Sequence, residues 1–308
     1  MKVHRIGTRA VPKVFLIVAT GFLLGTSDGE HQSVEGTDLP FILAGIRQND
    51  SMLDNIEVHF IIVNLYTPEA LATPIYSLCL PEEEYENVMV VSGESFRLSG
   101  DAKGVTGERK PLRTFRQLVT GNGTSIMLYL PETNQGTVFA PGSRSIHNYV
   151  TPFGFNLAMG GMCLSDYFGK TPTQLMGRDV IGDATCYVLS TESERKHGDV
   201  IVRDSVKTWV DPSIGWRARR KDVYRPGGEL ISTCEVVFKE WEEGVWFPVT
   251  GTSRRFNEEG TLLFTRELVV TEFKKRAVID PKEFMMVFPE GTRVFDANLK
   301  STYIVERK

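Results

Sequence analysis

Residues 200–274 read VIVRDSVKTWVDPSIGWRARRKDVYRPGGELISTCEVVFKEWEEGVWFPVTGTSRRFNEEGTLLFTRELVVTEFK. Four turn-forming clusters punctuate the stretch: Asp211-Pro212-Ser213-Ile214-Gly215, Pro226-Gly227-Gly228, Glu242-Glu243-Gly244 and Asn257-Glu258-Glu259-Gly260. Each sets Gly or Pro where the backbone reverses, because Gly tolerates positive φ and Pro presets a turn φ. The runs between them, VKTWV at 206–210 or LLFTRELVV at 262–270, are rich in β-branched and aromatic residues, the types that fit a pleated surface. The pattern predicts five antiparallel strands in a meander. Strands of about ten residues exceed the usual ~5–6 and suit the wall of a large curved sheet or barrel better than a compact sandwich. Such a sheet needs a cover for its concave face.

Alternation assigns faces. Leu230, Ser232, Cys234, Val236 and Phe238 share one side of their strand, and Ile231, Thr233, Glu235, Val237 and Lys239 the other. On the strand from Trp216 to Tyr224, Arg217, Arg219 and Lys221 point one way, opposite Trp216, Ala218 and Arg220. The ordinary expectation for those cations is a solvated outer face; the alternative is a phosphate or headgroup site.

The chain has 308 residues and a formal charge of −4. Its first 27 residues hold Lys2, Arg5, Arg9 and Lys13 and no acid, then an apolar run from Val14 to Leu24, then the small residues Gly25, Thr26 and Ser27. This order is that of a secretory signal peptide. The apolar run is too short to span ~30 Å of hydrocarbon comfortably, although an uncleaved anchor stays open. Removing residues 1–27 takes away four cations and leaves a charge of −8, which argues against nucleic acid as a partner. The remainder, 28–308, is expected to be one exported domain. Cys79, Cys163, Cys186 and Cys234 allow up to two disulfides in an exported chain, in three full pairings among which the sequence does not choose. None lies at metal-ligand spacing to a His, and no cofactor is expected.

Working outward, Leu39–Asn49 reads as a short amphipathic helix with Asp38 as N-cap, and Asn55–Leu65 as a strand with Ile56, Val58, Phe60 and Ile62 on one face. Residues 66–87, with three prolines and the acidic run Glu82-Glu83-Glu84, are expected to form a loop-like insertion. Short strands follow at 88–91 and 95–98, a basic turn at Lys103–Lys110, and a hairpin of 112–120 with 124–130 around Gly121-Asn122-Gly123. One more strand is expected at 135–140, and others at 173–180 and 184–191. Between them the segment 148–168, NYVTPFGFNLAMGGMCLSDYF, is apolar and helix-permissive around Gly160-Gly161. It is either a core helix or a mobile cover over a cavity; the flexible thioethers of Met159 and Met162 favour the cover. Catalytic constellations are poor: no Gly-x-Ser-x-Gly or His-Glu-x-x-His occurs. A non-enzymatic binding protein is the expectation.

Four fragments carry a family resemblance: Phe96-Arg97 after a short strand, Asn122-Gly123 before an aliphatic and aromatic strand, Gly177 through Cys186-Tyr187-Val188, and Thr208-Trp209-Val210-Asp211-Pro212. Together, over roughly residues 38–275, they resemble the LolA/LolB superfamily of periplasmic lipoprotein carriers, in a divergent and larger version. The resemblance implies a mainly β (α+β) fold, a curved antiparallel sheet or half-closed β-barrel of about eleven strands covered by short helices. It implies lipid or lipoprotein acyl chains as ligands and a membrane protein as a further partner. Phe96, Phe153, Phe155, Leu157, Met159, Met162 and Leu164 would line or lid the cavity. Arg97 would lie on the barrel wall and bond backbone carbonyls of the cover. A second function implied by relatives of this kind is envelope-stress sensing or protein interaction on the same fold. The insertion at 66–87 and a C-terminal extension at 276–308 depart from the compact carrier pattern, as does Gly93 or Ser95 where a proline usually precedes the Phe-Arg pair.

Overall fold

The computed structural model describes residues 39–105, 111–140, 146, 149–197 and 200–306. Helix α1 (Leu39–Ser51) leads into β1 (Ile56–Tyr66), a single turn α2 (Pro68–Leu71), and the meander β2 (Glu82–Ser92), β3 (Ser95–Val105), β4 (Pro111–Asn122), β5 (Ile126–Leu130) and β6 (Gln135–Phe139). A short hairpin, β7 (Ala158–Met159) with β8 (Met162–Cys163), precedes α3 (Leu164–Lys170). The second meander comprises β9 (Thr173–Ile181), β10 (Ala184–His197), β11 (Val200–Asp211), β12 (Arg217–Tyr224), β13 (Leu230–Glu242), β14 (Val245–Phe256) and β15 (Leu262–Lys275). The chain closes with β16 (Arg293–Asp296) and β17 (Ser301–Ile304).

Fifteen of these strands form one curved sheet in the order β17-β16-β6-β5-β4-β3-β2-β1-β15-β14-β13-β12-β11-β10-β9. The two meanders are zipped together by β1 against β15. The fold is mainly β, as expected, with two corrections. The sheet does not close into a barrel, since β17 and β9 are its two edges, and it holds fifteen strands among the described residues rather than about eleven. The five strands of residues 200–274 are present as read. Gly215, Gly228, Gly244 and Gly260 all take positive φ at their turns, the conformation for which Gly is used.

Departures from the expected strands arise in two places, one lengthening a strand and one adding strands. The acidic run Glu82–Glu84, expected in a loop, opens β2, where Glu84 faces Lys103 at 3.5 Å across the ladder. The C-terminal extension is also structured: β16 pairs in parallel with β6, and β17 pairs with β16. The segment between β15 and β16 straps the outer face. Ile279 and Phe284 bury Val90, while Met286, Phe288 and Val294 pack on Leu118, Met127, Tyr129 and Val138. Burying those side chains is the main force that holds a strap of this kind. Asp38 and the basic turn beyond Val105 lie outside the described residues. All four cysteines are free thiols.

Candidate functional site

In an antiparallel sheet directly opposed residues share a face, so the register reads as rungs. One rung of the inner face runs Ile56, Val91, Phe96, Gly121, Ile126, Phe139, and the next along the strands runs Val58, Met89, Leu98, Val119, Leu128. These side chains belong to the largest apolar cluster. A third rung, Ile62, Leu268, Gly251, Val236, continues it into the second meander.

Residues 149–158 cover this face. Phe153 meets Phe247 edge-on at 6.5 Å between centroids, and Tyr149 lies 5.9 Å from Phe96. Phe155 is seated on Gly251, where an added Cβ would come within 2.5 Å of its Cδ1. Leu157 is buried in the same cluster. Asn156 takes a left-handed φ of 60°, and its Nδ2 donates to Cys234 O at 3.0 Å. The expected helix around Gly160-Gly161 is a hairpin turn instead: the two glycines have φ of 59° and 78°, a pair that suits a primed two-residue turn. Beyond it Met159, Met162 and Leu164 join a second cluster with Ile42, Ile46, Tyr167, Phe168, Leu189 and Val210. Thus Phe96, Phe153, Phe155 and Leu157 come together on one patch of the face, and Met159, Met162 and Leu164 come together beside α1.

Arg97 does not join them. Phe96 and Leu98 point inward, so alternation puts Arg97 outward, between Val90 and Thr120 and beneath the C-terminal strap. There its charge helps to hold the Glu283 carboxyl below its usual range, after Arg276, whose hydrogen bond is the main cause. Its Nε is buried without a hydrogen-bond partner.

The arginine that reaches a covering helix is Arg217. It is 2% exposed; Nη2 donates to Asn49 O at 2.8 Å, Nη1 to Asp50 Oδ1 at 3.0 Å and Nε to Trp246 O at 3.1 Å. Asp50 in turn accepts from the Ser165 amide at 2.9 Å, which ties α1, α3 and the sheet through one ion pair. Burial outweighs the neighbouring carboxylate and pulls the guanidinium down to about 10, and the same desolvation raises the Asp50 carboxyl in spite of Arg217. Helix docking is completed at adjacent positions. Gly45 lets the Trp216 indole approach to 2.4 Å of where a Cβ would stand, and Gly215 lies against Asn49. Trp216, with φ of 59°, stacks on Tyr187 at 5.7 Å.

Arg217, Arg219 and Lys221 therefore do not share a solvated face. Facing Trp209 and Val210 of β11, β12 carries one extra residue, Arg219, and this bulge breaks the alternation along β12. Arg219 bonds the buried Asp211, while Lys221 looks inward from the rung that contains Leu189, Thr208, Cys234 and Ser253. No pattern in the sequence separates these three cations, because the signal is a bulge at Arg219 that shows only in the pairing with β11. Trp209 packs outside with Cys186 and Val188, its Nε1 on Asp179 at 2.9 Å. Among the described residues no three His, Cys, Asp or Glu side chains gather as a metal site, and no helix is long and apolar enough to cross a membrane.

No family model and no curated protein matches the chain. Solved structures similar to it include a LolA superfamily protein from Nitrosomonas europaea, 17% identical over 79% of this chain and 96% of that one, with a TM-score of 0.47. A DUF1329 family protein from Desulfovibrio piger is 12% identical over 80% and 97%, TM-score 0.49. The Mycobacterium tuberculosis lipoprotein LppX is 12% identical over 79% and 100%, TM-score 0.31.

Proposed function

We propose that this protein is an exported, non-enzymatic carrier that holds a lipid or lipoprotein acyl chain against the inner face of its sheet, beneath residues 149–164. The observation that supports this most is the chemistry of the cover. Phe153, Phe155 and Leu157 meet the sheet through apolar contacts, and one seat, Gly251, is a glycine shaped to a ring. An acyl chain offers the same kind of surface as those side chains and replaces it at little cost in hydrogen bonds, since apolar burial is non-directional. Ligand pockets of this class are mainly apolar with few polar groups. In this reading Phe96, Phe153, Phe155, Leu157, Met159, Met162 and Leu164 are the cavity and lid residues, residues 1–27 direct export to the periplasm, and a membrane protein exchanges the cargo.

Native mass spectrometry of protein purified from the cell envelope, followed by lipid extraction, tests the reading. Co-purified acyl lipid released on denaturation is the expected result. Protein that is free of lipid and binds no fluorescent fatty-acid probe would sink it.

A further inference from the structure

One rung of the inner face breaks the apolar pattern. Across eight strands Thr208, Lys221, Cys234, Ser253, Arg266, Asn64, Glu83 and Gly104 stand directly opposite one another in sequence of pairing. Its neighbour toward the cover is the apolar rung of Val236, Gly251, Leu268 and Ile62, about 7 Å away as same-face rungs are. The charges along the polar rung do not cancel. Arg266 donates to Asn64 Oδ1 at 2.8 Å, and Asn64 Nδ2 contacts Glu83 Oε2 at 3.4 Å, which links one cation to the one carboxylate. Lys221 has no carboxylate within 4.0 Å and no hydrogen-bond partner among the described residues. Asp204, further along this face of β11, is buried and has contacts of its own. Cys234 does not compensate Lys221, because burial holds its thiol up to about 11; the same desolvation lowers the Lys221 ammonium from its usual range, so an anion placed beside it would restore the charged form.

Two buried polar atoms accompany the ammonium. Thr208 is 1% exposed and its Oγ1 has no partner, though it stands directly opposite Lys221. Asn156, which reaches down from the cover to Cys234 O, leaves its Oδ1 without one. Lys221 itself is half-buried and keeps some accessible surface. Unpartnered buried polar groups in a native structure call for an explanation, and an unmet ligand is one of the few on offer.

We infer that Lys221 and Thr208 form a seat for the acidic head of the bound amphiphile, a carboxylate or a phosphate monoester, with its acyl chain laid along the apolar rungs under Phe155. An anionic head beside the Lys221 nitrogen favours its charged form against desolvation, and the Thr208 hydroxyl supplies a second donor. Lysine suits this task as a point charge that accepts either oxyanion. This inference rests on the acyl-chain reading and adds the headgroup to it.

Equilibrium binding of oleate, methyl oleate, monoacylglycerol phosphate and lysophosphatidylcholine to the full chain tests both. Wild-type protein is expected to bind an acidic member of the set at least tenfold more tightly than the neutral or zwitterionic one of like chain; the better of oleate and monoacylglycerol phosphate identifies the head. Lys221→Met and Thr208→Val should each shrink that ratio, Lys221→Met to near one, while Lys221→Arg retains it, which separates loss of charge from loss of fold. Equal wild-type affinity within both pairs, oleate with methyl oleate and monoacylglycerol phosphate with lysophosphatidylcholine, would overturn the headgroup seat and leave the acyl-chain reading standing. Failure of all four ligands to bind would overturn both.

Discussion

Arg217 shows how a single side chain can set the position of a whole cover. Its guanidinium uses three nitrogens on three acceptors, two of them backbone carbonyls, in a site from which water is excluded. The five fixed donors of arginine match that demand and a lysine would not. Removing one partner of a buried pair strands the other, at a cost of about 3–5 kcal/mol. Arg217→Met should therefore lower unfolding stability by that much in urea titration, whereas Arg217→Met with Asp50→Asn should lose clearly less. A double variant as unstable as the single one would mean that the carboxylate is not stranded, and the clamp account would fail. The role of position 217 is not legible in the sequence: the alternation that assigns faces along β12 is broken by a bulge at Arg219, and its partner Asp50 lies 167 residues away.

At the scale of elements, legibility follows locality. The second meander is written in its own turns, with Gly or Pro at each reversal, and β1 in a plain two-residue alternation, so both can be read without their neighbours. The strap and β16–β17 cannot, because four-residue strands have no periodicity to speak of and gain their stability from β6, over a hundred and fifty residues earlier. The lid contact assigned to Arg97 went astray for the related reason that its outer surroundings are furnished by that same distant strap. The strap carries a pH-sensitive pin. Arg276 Nη2 bonds Glu283 Oε1 at 2.7 Å, and that hydrogen bond holds the carboxyl below its ordinary 4.5. A depressed folded-state value contributes stability above 4.5 that is lost as pH falls through the folded value. Hydrogen exchange at 284–294 should accordingly rise on acidification from pH 5 to about 3 before that of β13 and β14, and Glu283→Gln should show the loosening already at neutral pH. Exchange in the strap that follows β13 at every pH would place its stability elsewhere.

The whole molecule is two meanders joined along β1 and β15, whose closing contacts, such as Arg266 with Asn64, span 202 residues. Closing loops of that length before any contact is gained makes for slow folding. Residues 149–158, which lie between β6 and β9 in the chain, cross the inner face. In mechanical terms the sheet is a bow and residues 149–172, among those described, act as its string. A guest that pushes the string aside cannot be accommodated locally, because the string has no free end; the bow has to flex. Spin labels at Gln135 and Met176, in protein whose Cys79 and Cys163 are replaced by serine, should report a different tip-to-tip distance with and without oleate, and an unchanged distance distribution under saturating ligand would refute the coupling. Were the proposed cargo held there, the loaded and empty molecules would differ in outward curvature, and a receiver would sense the cargo by shape without touching it.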